Sequence, residues 1–135
     1  MDGASDRRVP PVARWLLVAL VSGSIFVASV VPPPGEGLQL LGPLGLVGLD
    51  AWFHALAYAG LAGSLLYAMA ATDRPLPVSV ALALGVAVAF GFGVELVQAF
   101  LPIRRFEWLD VVANGFGASL AAATWIAVRR LLRIT

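Results

Sequence analysis

The sequence predicts an all-α, polytopic membrane protein: a single domain over residues 1–135 in which four transmembrane helices form a bundle, with both termini in the cytoplasm. Composition is the first reason. Of 135 residues 60% are hydrophobic and 13% charged, and mean hydropathy is +0.90, which leaves too little polar surface for a water-soluble globule of this size. Segmentation is the second: apolar stretches at about 15–31, 51–71, 78–101 and 111–128 each cross, or nearly cross, a hydrocarbon core of roughly 30 Å at about 1.5 Å per residue. The third is arginine, which supplies every basic residue. Arg7, Arg8, Arg14, Arg74, Arg129, Arg130 and Arg133 fall on one side of the spans and Arg104 and Arg105 on the other, and the richer side of such a protein faces the cytoplasm.

The first stretch, Trp15 to Val31, stops at Pro32-Pro33-Pro34-Gly35, which no helix continues through. Its basic approach resembles a signal peptide, but the stretch is longer than a usual signal core and has no clean Ala-x-Ala site, so it reads as a retained span. Residues 32–49 form the long connection, with an apolar run from Leu38 to Leu49 suited to the membrane interface. The second stretch, Ala51 to Ala71, ends at Thr72-Asp73-Arg74-Pro75; the third, Val78 to Leu101, at Pro102-Ile103-Arg104-Arg105; the fourth is Val111 to Val128. Trp15, Trp52, Trp108 and Trp125 stand near span ends, where an amphipathic indole prefers the headgroup region. Small residues at every fourth position, Ala55-Ala59-Gly63, Ala87-Gly91 and Ala113-Gly117-Ala121, permit close helix approach in lipid.

Several function classes are set aside. Net charge is +1 and the arginines form no stripe, so nucleic acid is not an expected partner. Absence of cysteine removes disulfides, thiolate nucleophiles and Cys-based metal centres. A single His argues against the two- and three-His sets of catalytic zinc, and neither a metal nor a cofactor is expected.

What remains is the placement of the polar residues. With both termini inside, the second span begins at the outer face, the third ends there and the fourth begins there. Asp50, His54 and Tyr58 are spaced i, i+4, i+8; Glu95 and Gln98 are i, i+3; Asp110 and Asn114 are i, i+4. Each set drifts slowly around one helix face, so the three faces are expected to turn inward together. Lipid makes this close to obligatory for Glu95, since a carboxylate among acyl chains must be paired, hydrated or protonated. His54 and Arg104 are the expected cationic partners, Arg104 as a bidentate fork reaching back from the loop and His54 exchanging a proton with Asp50 or Glu95.

The series Asp50-x-x-x-His54-x-x-x-Tyr58, Glu95-Leu96-Val97-Gln98-Ala99-Phe100-Leu101-Pro102, Arg104-x-Phe106 and Asp110-x-x-x-Asn114-x-x-Gly117 resembles the motif series of the VanZ-like membrane proteins. The resemblance covers residues 50 to about 120. It departs at Ala51, where the family often has Lys, and at Ile103, where it often has Gly. What it implies is a multi-pass protein of the cell membrane and envelope. The family is named for a protein associated with low-level teicoplanin resistance, which describes a phenotype and carries over no mechanism.

Three readings follow. In the first, Asp50, His54, Tyr58, Glu95, Gln98, Arg104, Asp110 and Asn114 bind an envelope component, such as a lipid headgroup or cell-wall precursor, or lock the bundle by hydrogen bonds. In the second they form an enzyme on a lipid-linked phosphate, with His54 and Glu95 or Asp110 as acid and base and Arg104 on the phosphate. In the third, Glu95 titrates in a small channel or transporter, which four spans enclose only as an oligomer. The sequence leaves catalysis and oligomeric state open.

Overall fold

The computed structural model of the protein describes residues 9–31, 41–102 and 106–134. It is all-helical: α1 Pro11–Val30, α2 Leu49–Met69, α3 Leu76–Ala99 and α4 Trp108–Ile134, with one 3-10 turn at Pro43–Gly45. Three of these, α1, α3 and α4, are long and apolar enough to cross a membrane. α2 has comparable length, 21 residues, but Asp50, His54, Tyr58 and Tyr67 dilute its hydropathy, and it lies at the centre of the bundle.

Helix boundaries differ from the apolar stretches because polarity and helicity have different limits. α1 starts at Pro11, ahead of Trp15, since a proline in the first turn loses no hydrogen bond that an interior residue would make. α4 runs through Arg129 and Arg130 to Ile134, six residues past the apolar stretch, because arginine is a good helix former and no breaker intervenes. α2 stops where the Thr72 hydroxyl donates to the Met69 carbonyl at 2.7 Å, just before Pro75.

Consecutive helices alternate in direction. Arg14 near the start of α1 donates to the Tyr67 carbonyl near the end of α2, and Gln98 near the end of α3 donates to the Ser29 carbonyl near the end of α1. α2 packs against all three neighbours and most extensively against α4. The reason is local: a Cβ on Gly117 would collide with the Ala55 backbone, so only glycine lets α2 and α4 cross this closely. Gly91 plays the same part on α3, where Tyr58 and Asn114 fill the space a side chain would need. The apolar core gathers Ile25, Tyr58, Leu61, Leu65, Leu66 and Met69 with Ala83, Ala87, Ala118 and Ala122. Of the three expected small-residue stripes, Ala87-Gly91 lies in the interior, whereas Gly63 faces open space.

α1 is the outlying helix, with Ile25 its one buried residue. Between it and α2, residues 41–48 fold back on themselves: Leu41 bridges Gly48, and the Gly42 N–H donates to Val47. Gly42 lies flat on the Trp52 indole, and Leu44 takes the left-handed φ of 74° that turns the chain. Leu41, Leu44 and Leu46 project outward at 68–80% exposure.

Candidate functional site

The alternating directions bring the start of α2, the end of α3 and the start of α4 together, and the three polar faces meet there. His54 joins two of them. Its Nδ1 lies 3.0 Å from Asn114 Oδ1 and its Nε2 3.5 Å from Asp110 Oδ2, so both ring nitrogens are engaged by the i, i+4 pair on α4. An amide oxygen only accepts, so Nδ1 carries the proton in this arrangement, and Nε2 is left facing a carboxylate. The ring stacks parallel to Tyr58, one turn further in, with centroids 6.3 Å apart.

Glu95 is fully buried. One oxygen, Oε2, accepts the Glu107 backbone N–H at 3.3 Å; the other, Oε1, has no hydrogen-bond partner among the described residues, a state it shares with Tyr58 Oη and Asn114 Nδ2. Leaving such groups unsatisfied in a low-dielectric interior is costly. A ring nitrogen of His54 and one carboxylate oxygen each of Glu95 and Asp110 lie within 4.8 Å of one another.

The remaining expected residues divide. Asp50, in the first turn of α2, is exposed and stands at the rim; His54 turns to Asp110 instead, because the Ala55–Gly117 crossing carries α4 against that face of α2. Gln98 is buried, and its amide binds α1 rather than the His54 group. Arg104 lies outside the described residues, as does Arg105.

Two contributors were not anticipated. Glu107 supplies its N–H to Glu95 and its side chain to the site's wall. The sequence signal is its place three residues before Asp110 at a helix start, where an acidic group is favoured by the helix dipole. α1 lends Ser24, Ile25, Ala28 and Ser29, and serines within an otherwise apolar span were the available hint.

A cavity of about 690 Å³ opens here, lined by apolar Ile25, Ala28, Phe53, Leu56 and Ala57 and by polar Ser24, Ser29, Asp50, His54, Tyr58, Gln98, Glu107 and Asp110. Its described carboxylates are those of Asp50, Glu107 and Asp110. Such a mixed lining offers both apolar contact and hydrogen-bond acceptors. No family model matches the chain, and no curated protein or solved structure shows a significant likeness to it.

Proposed function

We propose that the protein is a multi-pass, VanZ-like protein of the cell membrane, with four spans and both termini cytoplasmic, which binds an amphipathic envelope component at its outer face. One observation carries the reading: the cavity's lining combines apolar side chains from α1 and α2 with polar side chains rich in acceptors. Acceptors and negative charge favour a headgroup that presents hydroxyl or ammonium donors. Arg14, Arg74, Arg129 and Arg130 sit at the opposite end of the bundle, which supports the cytoplasmic assignment of that end. Outward-facing Leu41, Leu44 and Leu46 suit anchoring of the connection in the outer interface.

Native mass spectrometry of the full chain, released from mild detergent, tests this. A lipid or lipid-linked species is expected on the wild type and is expected to be lost in Ala28→Trp, which fills the cavity from an exposed position on α1. Identical adducts on the two proteins would refute binding in this cavity.

His54, lining the same cavity, favours a second reading as an enzyme on a lipid-linked substrate, since an imidazole whose Nδ1 proton is held by Asn114 offers Nε2 as a general base. Turnover of lipid phosphates that is lost in His54→Gln separates enzyme from binder.

A further inference from the structure

We propose that His54, Glu95 and Asp110 together hold one divalent transition-metal ion, of the class that accepts a single imidazole with carboxylate oxygens, such as Zn²⁺ or Mn²⁺. The proposal is independent of whether the cavity also takes a lipid.

Three observations converge on it. The three side chains come from three different helices, yet one donor atom of each lies within 4.8 Å of the others. Donors on one ion with bonds of about 2.1 Å stand roughly 3.0–3.4 Å apart, so the 3.5 Å between His54 Nε2 and Asp110 Oδ2 is already close to a coordination edge. Glu95, within 4.8 Å of both, would close the remaining distance as an ion binds.

The second observation is the orientation of the imidazole. Asn114 Oδ1 accepts from Nδ1, which fixes the tautomer with the Nε2 lone pair directed toward the carboxylate. Fixing a ligand ring through its other nitrogen is the usual outer support of a histidine ligand. The third is the same division of labour on Glu95: the Glu107 N–H holds Oε2 while Oε1, in a fully buried side chain, meets no partner among the described residues.

The site differs from the sequence expectation of no metal. A single His makes no zinc centre by itself, but the folded chain adds two carboxylates from other helices, and a mixed N,O set suits a transition ion as three imidazoles do.

The test uses the full chain in detergent, freed of any polyhistidine tag and stripped with chelator, titrated with Zn²⁺ by calorimetry and with Mn²⁺ by electron paramagnetic resonance. One ion per chain is expected. Glu95→Gln, Asp110→Asn and His54→Gln are each expected to weaken Zn²⁺ binding at least about tenfold, and Asn114→Ala, which removes the support of the ring, by about tenfold. Asp73→Asn, at an exposed position away from the cluster, is expected to bind as the wild type does. X-ray absorption of the Zn²⁺-loaded wild type, which needs no variant to fold, is expected to show one imidazole among light-atom ligands. Absence of stoichiometric binding, equal affinity in the ligand variants that retain helix content, or an absorption spectrum without imidazole scattering would each overturn the proposal.

Discussion

The two ends of the bundle carry opposite charge and handle it differently. At one end Glu95 is fully buried, and His54 and Asp110 keep side-chain exposures of 17% and 14%. At the other end Arg14, Arg74 and Arg129 sit at helix termini, around a smaller cavity of about 190 Å³ in the case of Arg74 and Arg129. One rule serves most of it. Asp50 and Asp110 occupy the first turns of α2 and α4, Arg129 and Arg130 the last turns of α4, and Arg14 caps the Tyr67 carbonyl in the last turn of α2, each opposing the helix dipole there; Arg14 in the first turn of α1 and Arg74 just before α3 stand against it. Burial is what separates the ends. Arg74 and Arg130 are exposed and Arg14 and Arg129 half-buried, whereas Glu95, placed further inside, is fully buried and must find partners from neighbouring helices. Charge at the basic end is therefore the more accessible, and charge at the acidic end is built into the packing.

That contrast is broken most severely at the crossing which assembles the acidic end. Gly117→Ala places a Cβ against the Ala55 carbonyl, a rigid backbone group unable to yield as a side chain would. The expected loss is about 2–3 kcal/mol, the range of overpacking, read as a lowered thermal midpoint in detergent. Gly115→Ala on the same helix meets nothing within 4 Å and is expected to stay within about 0.5 kcal/mol of wild type. Equal effects at the two glycines would mean that helix propensity, and not the α2–α4 approach, governs stability.

Next in size is Asn114→Ala. The change strips His54 Nδ1 of its acceptor in a buried setting and is expected to cost about 1–3 kcal/mol, the penalty of an unsatisfied polar group. Asn114→Asp supplies an acceptor again but adds a third carboxylate beside Glu95 and Asp110, so rescue of stability is expected only when a dication is added. Rescue without added metal would point to a protonated network.

Much of this end is legible in the sequence, and the reason is periodicity. Asp50-His54-Tyr58, Glu95-Gln98 and Asp110-Asn114 lie on faces that a helix makes continuous, and polar groups in an apolar chain have few places to go but one another. Depth was readable for the same reason. Pairing was not. Periodicity fixes an angle around each helix but not which helix presses on it, so nothing announced that His54 would turn to Asp110 and Asn114 instead of Asp50. Gly117 holds that information, but every glycine in a stripe looks alike: Gly63 stands in a similar stripe, yet a Cβ there would meet nothing within 4 Å. Apolar stretch and helix part company at Pro11 and beyond Val128. The participation of α1 was the least visible, since Ser24 and Ser29 carry no charge and their contribution depends on a docking that involves a single buried residue, Ile25.

The weak docking of α1 makes Gln98→Ala informative. Its amide donates to the Ser29 carbonyl at 3.0 Å, a bond across helices worth roughly 0.6 to 1 kcal/mol in membrane proteins. A global midpoint is expected to fall little. Hydrogen exchange in the last turns of α1 is expected to rise several-fold, because this bond ties that end to α3. Uniform exchange changes across all four helices would show that α1 is no separate unit.

The smallest effect is expected at the basic end. Arg14 donates to the Val9 and Tyr67 carbonyls and lies over the Tyr67 ring at 4.5 Å from its centroid, three contacts that a point charge reproduces only in part. Arg14→Ala is expected to cost about 0.5 kcal/mol, in keeping with partly exposed cation–π and ion contacts. Arg14→Lys keeps the charge but not the planar fork that serves carbonyl and ring at once, so most of that loss is expected to persist. If Arg14→Lys instead recovers the full midpoint, the contribution is charge against the α2 terminus, and the two ends of the bundle would then share a mechanism as well as a rule.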